Sequence, residues 1–197
     1  MIRFCMAGLL AMTGTAQPQG CRLAQRWWEV EALCKTLGGG ACADPKLRHS
    51  HGPDARAPEY AYATILAGGV RRSAVVLKEG AVVTFETGLD GGAGGVTIRD
   101  CGAHLEQATV ESLDLAGVRL GGRVVFFHAD TRSATSAVSF DVAGPARLKF
   151  LIVGLAVGTW EIWRNGFLLD AGGAVEPDSG VLSFEGPPGG YFLRRIG

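Results

Sequence analysis

The feature that most constrains the fold of this chain is a series of short apolar segments from about Tyr60 to the carboxyl terminus. Each segment has the length of a β-strand and is bounded by Gly, Asp, Asn or Pro. This pattern is typical of an antiparallel β-sandwich. We therefore predict a mainly all-β fold, an antiparallel β-sandwich of two stacked sheets with one short amino-terminal helix. The segments are residues 60–66, 74–77, 81–85, 96–98, 124–127, 137–142, 148–153, 160–163, 167–169, 181–184 and 191–193.

Composition limits the partners that the chain can have. Hydrophobic residues make up 47% of the 197 residues, which is too many for a disordered chain. Basic and acidic residues number 19 each, so no net charge draws the chain to nucleic acid. No apolar run reaches the roughly 18 residues of a membrane span. We expect neither a nucleic-acid partner nor a membrane span.

The chain divides into three parts by composition. Residues 1–20 contain Arg3, an apolar stretch over 4–12 and small residues near Ala16, which is the order of a secretory signal. The stretch is short and contains Gly8. A ragged start, as a truncated or mis-started gene would give, therefore fits equally well. A signal would predict a secreted or periplasmic protein. We predict a helix and loop extension over residues 21–50 and the β-sandwich domain over residues 51–197.

Five cysteines leave two chemical interpretations open. Removal of a signal would leave four, which allows disulfides in an oxidising compartment. Free thiols fit equally well, and no CxxC spacing supports a zinc site. The five are Cys5, Cys21, Cys34, Cys42 and Cys101.

One amphipathic helix is predicted over residues 22–37, before the stop at Gly38. The pair Trp27-Trp28 could stack on a sugar, but we favour packing because the apolar stripe already includes Trp27. The stripe consists of Leu23, Trp27, Val30, Cys34 and Leu37.

A β-hairpin is predicted around Asn165-Gly166, a pair that suits a type I′ turn. Trp160 and Trp163 then point to opposite faces of the first strand, so one of them should be half exposed. The strands over 167–169, 181–184 and 191–193 are expected to continue as a meander.

Two stretches resemble the carboxyl-terminal β-domains of bacterial polysaccharide lyases of the hyaluronate-lyase and heparinase II/III kind. The first runs from His51-Gly52 through Tyr60-Ala61-Tyr62 to Leu66. The second covers residues 148–192, including a glycine turn followed by Trp160. The chain departs from the family after Leu66, where Ala-Gly-Gly stands in place of Leu-Pro.

The resemblance implies a place beside a catalytic domain. In these lyases an upstream α/α-toroid supplies a Tyr and a His for β-elimination at a uronate. The sequence before Tyr60 is too short for a toroid, so we assign no catalytic residue, cofactor or metal. We expect a non-catalytic domain that supports degradation of a polysaccharide, with an upstream toroid as partner. The alternative is a free-standing carbohydrate-binding or adhesion module, and an autonomous enzyme ranks third.

Other candidate sites have simpler structural interpretations. His49 and His51 supply only two metal ligands, so we favour a turn. The alternation of Tyr60 and Tyr62 with alanine favours sheet packing over acid catalysis. His128 lies near Asp130, but Ser133, Ser136 and Ser139 do not stand in a nucleophile motif. Residues 91–95 are glycine-rich yet do not end in Gly-Lys-Ser/Thr, so we interpret them as a connection.

Three aromatic residues are the candidates for carbohydrate binding. Trp160, Trp163 and Tyr191 lie in or beside the terminal strands. Sugar rings stack on flat aromatic faces, and β-sandwiches can display such faces. Core filling is the competing explanation, and we favour it because aromatic side chains contribute most by burial.

Overall fold

The computed structural model describes residues 60–67, 70–88, 94–100, 106–110, 112, 114–128, 135–175 and 181–197. These residues contain strands and no helix, which confirms the all-β prediction. None of them forms a helix that could span a bilayer. The helix predicted over 22–37, the amino-terminal signal and all five cysteines lie outside the described residues. The strands are β1 (Tyr60–Ala67), β2 (Val70–Leu77), β3 (Ala81–Gly88), β4 (Gly95–Asp100), β5 (Gln107–Val110), β6 (Leu115–Leu120), β7 (Arg123–His128), β8 (Ala137–Val142), β9 (Leu148–Val153), β10 (Gly158–Arg164), β11 (Phe167–Val175), β12 (Val181–Gly186) and β13 (Gly189–Arg195).

The described strands form three sheets rather than the two that we expected. The first sheet has the order β1-β2-β3-β4, the middle sheet β12-β9-β7-β6-β5 and the third sheet β11-β10-β13-β8. One apolar core separates the first sheet from the middle sheet, and a second core separates the middle sheet from the third. The described strands therefore form a stack of three layers with two cores.

The middle sheet is buried on both faces, and its sequence shows why. In β7, Val124 and Phe126 face the third sheet, whereas Val125 and Phe127 face the first. The segment 150–153 of β9 is divided between the two cores in the same way. A strand buried on both faces reads as a continuous apolar run rather than an alternating one. These two runs therefore mark the strands at the centre of the stack.

One pair of described strands is parallel, whereas the sequence led us to expect antiparallel pairing throughout. β7 and β9 pair in parallel at the centre of the middle sheet, with Val125 opposite Leu151. The intervening β8 lies in the third sheet, so the chain crosses to the other layer and returns. Such a crossover is what parallel neighbours require.

The meander expected at the carboxyl end does not form. β10 and β11 are a hairpin, but β12 pairs with β9 in the middle sheet, and β13 returns to pair with β10. The reason lies in β12, where Val181 faces the first core and Leu182 the second. An edge strand of a two-layer sandwich could not bury both of these side chains.

Tyr60 and Tyr62 pack in the first core, as the alternation with alanine predicted. The hydroxyl of Tyr62 lies 2.5 Å from Oγ1 of Thr64, which in turn lies 2.7 Å from Oγ of Ser73. This chain of hydroxyls satisfies the polar groups that the core encloses.

Candidate functional site

The β10–β11 hairpin determines which side chains reach the outer face of the third sheet. Asn165 has φ of 49° and Gly166 has φ of 83°, as a type I′ turn requires. The predicted hairpin is therefore present. The turn places Trp163 opposite Leu168 in the strand register.

The two tryptophans of β10 lie on opposite faces of the sheet. Trp160 and Ile162 point into the second core, and Trp160 is completely buried. The indole Nε1–H of Trp160 donates a hydrogen bond to the carbonyl oxygen of Ala156 at 3.0 Å. Trp163 points outward and is partly exposed, as predicted for one of the pair.

Tyr191 also belongs to the second core. Its ring stacks on Phe140 with centroids 5.3 Å apart, and only 3% of the residue is exposed. Its hydroxyl donates to the carbonyl oxygen of Pro187 at 2.6 Å, and burial raises the pKa of the phenol, which the charge of Arg164 partly offsets. The sheet thus separates the three candidates, and only Trp163 can touch a ligand in solvent.

An apolar row crosses three neighbouring strands on the outer face of the third sheet. Trp163 lies opposite Leu168 on β11 and opposite Phe192 on β13. Leu168 is 48% exposed and Phe192 is 42% exposed. We call these three residues the apolar row. Sequence reasoning missed Leu168 and Phe192: the hairpin register could have indicated Leu168, but Phe192 depends on a pairing across 29 residues of chain.

An ion pair borders the apolar row on one side. The Nη2 group of Arg194 donates to Oε2 of Glu161 at 2.7 Å, and the indole Nε1–H of Trp163 donates to the same oxygen at 3.1 Å. The Trp163 hydrogen bond and then that of Arg194 lower the pKa of Glu161. The ion pair therefore holds Trp163 in a fixed orientation on the surface.

A polar notch borders the row on the other side. Gly190 precedes Phe192 by two residues on β13, so it lies on the same face, and it is opposite Asp141 on β8. A Cβ atom at Gly190 would lie 3.4 Å from Oδ2 of Asp141 and 3.6 Å from Oδ1 of Asn165. A methyl group would just fit between these oxygens, and Oδ1 of Asn165 already accepts a hydrogen bond from the backbone N–H of Gly190 at 3.0 Å. The carboxylate of Asp141 therefore supplies the acceptor at this border.

Residues 109–195 match the family model of the heparinase II C-terminal domain. The resemblance predicted from the sequence is confirmed over this segment. The matched segment begins within β5 and ends with β13, so it includes the middle and third sheets and the whole apolar row. The first sheet lies outside the match. A comparison with curated proteins found no match.

The other candidate residues do not assemble into a site in the described part of the chain. His128 is buried, and its Nε2 lies 2.6 Å from Oγ1 of Thr135. Asp130 and Ser133 lie outside the described residues, as do His49 and His51. Among residues that the structure describes, no group of three or more His, Cys, Asp or Glu side chains could hold a metal ion.

A cavity of about 340 Å³ opens between the first and middle sheets, above Leu77 and Leu120. Its charged rim is internally paired. Arg123 contacts Glu79 at 2.8 Å, and Glu185 contacts both Arg147 and Lys149. Two carboxylates thus pair with three cations, which leaves the rim with one positive charge in excess. The full lining is Leu77, Glu79, Leu120, Gly122, Arg123, Arg147, Lys149 and Glu185.

Proposed function

We propose that this chain is a non-catalytic β-domain of a heparinase II/III-like polysaccharide lyase and supports glycan degradation by binding the polysaccharide. The observation that carries the proposal is the apolar row, which exposes Trp163 and Phe192 on the segment matching the heparinase II C-terminal domain. A catalytic α/α-toroid would be its partner. Such an enzyme would be secreted or periplasmic.

The dimensions of the row suit a sugar chain. Neighbouring strands lie about 4.8 Å apart, so three strands place the outer side chains about 10 Å from each other. Pyranose rings present apolar C–H faces, which stack on the flat aromatic side chains of Trp163 and Phe192. Two aromatic rings fixed by a rigid sheet lose little conformational entropy on binding.

The borders of the row supply hydrogen-bonding groups for sugar hydroxyls. Asp141 and Glu161 offer carboxylate oxygens, and Arg194 offers donors at the opposite border from Asp141. Two carboxylates against one guanidinium give this face a net negative charge. We therefore expect neutral glycans to bind at least as well as uronate-containing ones.

The second candidate is a free-standing carbohydrate-binding or adhesion module. It is favoured by the position of the row, since all three side chains and both polar borders lie on one described sheet. Binding at such a surface needs no residue from a second domain. The two candidates differ in whether a catalytic toroid acts together with this chain.

The test is affinity electrophoresis of the full chain through gels that contain neutral or uronate-containing glycans. We expect at least one glycan to retard the wild type and Trp163→Ala to lose that retardation. Phe167→Ala is the matched control, because Phe167 is an exposed aromatic residue on the same hairpin but outside the row. Equal retardation of both variants, or no retardation of the wild type by any glycan, would contradict the proposal.

A second measurement separates the two candidates. The chain is added to a uronate-containing glycan alone and together with a heparinase-type toroid domain. An accessory domain should raise the rate at which the toroid forms unsaturated product, whereas a free-standing module should leave that rate unchanged. Unsaturated product formed by the chain alone would overturn the non-catalytic assignment.

A further inference from the structure

The outer face of the first sheet contains buried apolar residues that belong to neither core. Along β2, Ser73, Val75 and Leu77 face the middle sheet, so Ala74 and Val76 point the opposite way. Both are completely shielded from solvent. Val82 on β3 lies opposite Val76 and is shielded as well. We call Ala74, Val76 and Val82 the outer patch.

Only part of this outer face is shielded from solvent. Farther along this face, the side chains of Arg72 on β2 and of Glu86, which lies opposite it on β3, are 33% and 59% exposed. Thr97 and Arg99 on β4, which lie opposite Thr84 and Val82, are both exposed. Whatever covers the outer patch therefore lies over β2 and the adjoining end of β3, and stops short of β4.

The sequence contains a segment whose chemistry fits this shielded area. Residues 22–37 have an apolar stripe that includes Trp27 and Val30, and a helix of this length is marginal in water unless its stripe packs on something. Such a helix would be about 24 Å long, close to the roughly 26 Å length of β2. One helix laid along one strand would shield a narrow strip and leave the far strand open.

The connection between the helix and the sheet has sufficient reach. Residues 38–59 join the predicted helix to β1, which is the immediate neighbour of β2. Twenty-two residues can span up to about 70 Å when extended, so the segment can return over the outer face without strain.

We propose that the amphipathic segment 22–37 of this chain docks on the outer patch and closes the first sheet on its second face. Its apolar stripe packs on Ala74, Val76 and Val82. The amino-terminal segment is then an integral layer of the protein rather than a detachable extension. A catalytic domain would have to dock elsewhere, since this chain itself occupies the outer face of the first sheet.

Site-specific photo-crosslinking in the full chain tests the docking. Thr84 is replaced by benzoylphenylalanine, because Thr84 is half-buried, points outward and lies opposite Ala74. We expect a crosslink within the monomer to a peptide from residues 22–37. The same photoreactive group at Thr97, which is exposed on β4, should give no such crosslink. A crosslinked dimer, or a crosslink to any other peptide, would overturn the proposal.

Two variants of the helix provide an independent test in case the bulky group at position 84 disturbs the fold. Val30→Asp places a charge on the stripe, whereas Gln25→Asp places the same charge on the opposite side of the helix. We expect Val30→Asp to lose the crosslink and to increase binding of a hydrophobic dye at least threefold, and Gln25→Asp to do neither. Equal dye binding by both variants would overturn the proposal. Glycan retardation should be unchanged in either variant, so this inference and the proposed function can fail separately.

Discussion

Phe126 on β7 lies directly across Gly117 on β6, and its ring occupies the space that a side chain at Gly117 would need. A Cβ atom at Gly117 would overlap Cδ1 and Cε1 of Phe126. Both residues face the third sheet, so the ring contributes to the second core while it covers the glycine.

Gly117→Ala should therefore destabilise the protein by about 1–3 kcal/mol, because the ring must leave its rotamer in a close-packed core. Urea unfolding measures this loss. Gly95→Ala is the control, since no atom lies within 4 Å of a Cβ at that position on β4. We expect the control to be as stable as the wild type, and a comparable loss in both variants would contradict the packing argument.

Trp160 and Trp163 should respond oppositely to truncation although they are three residues apart. Trp160→Ala removes a completely buried ring and its hydrogen bond, and should cost about 3–5 kcal/mol of the free energy of unfolding. Trp163→Ala should cost less than about 1 kcal/mol, because its ring is partly exposed. Chemical denaturation of both variants checks this difference, and equal losses would show that Trp163 has a structural role in the fold.

Phe192→Ala should weaken glycan binding about 3–10-fold, which corresponds to about 0.7–1.4 kcal/mol. The reason is that Phe192 extends the stacking surface of Trp163 to the next strand. Titration calorimetry with the retained glycan gives the affinity. Ile196→Ala is the control, since Ile196 is 51% exposed but lies outside the apolar row. Equal affinity of the two variants would exclude Phe192 from the surface.

Glu161 should have a carboxyl pKa below 4.5 in the folded protein, with the Trp163 indole as the main cause and Arg194 as the second. A depressed folded-state pKa adds stability above the unfolded value, and this contribution is lost as the pH falls through the folded value. The stability advantage of the wild type over Glu161→Gln should therefore be present at neutral pH and disappear in acid.

Carboxyl titration by nuclear magnetic resonance measures the pKa directly. Trp163→Phe removes the indole donor and should raise the pKa of Glu161 towards 4.5, and Arg194→Gln should raise it as well, because it removes a hydrogen bond and a positive charge. An unchanged pKa in Trp163→Phe would mean that the indole does not hold the carboxylate.

Local sequence was sufficient to predict features that depend on neighbouring residues. Asn165-Gly166 predicted the type I′ hairpin because only residues that tolerate positive φ can form that turn. The alternation of side chains along a β-strand predicted that Trp160 and Trp163 occupy opposite faces of β10. Tyr60 and Tyr62 were correctly predicted to pack, since alternation with alanine places both rings on one side of β1.

Local sequence was insufficient where two distant strands had to meet. The apolar runs of β7 and β9 indicate burial on both faces, but they do not state what packs on the second face, so the third sheet was missed. The pattern of β12 does not state which sheet it joins, and the expected meander was wrong for that reason. Core filling was the favoured explanation for all three aromatic candidates, but local sequence could not state which of them is buried, since the burial of Tyr191 depends on Phe140, 51 residues earlier.

The sequence by itself determined that the described part of this chain is built of strands, where its principal hairpin turns and which family its carboxyl-terminal segment resembles. Each of these depends on the backbone preferences and alternation of residues close together in the chain. The tertiary structure alone decided that Leu168, Trp163 and Phe192 form one surface while Trp160 and Tyr191 do not. Strand register joins residues far apart in sequence, and the burial of a side chain depends on which sheet packs against it.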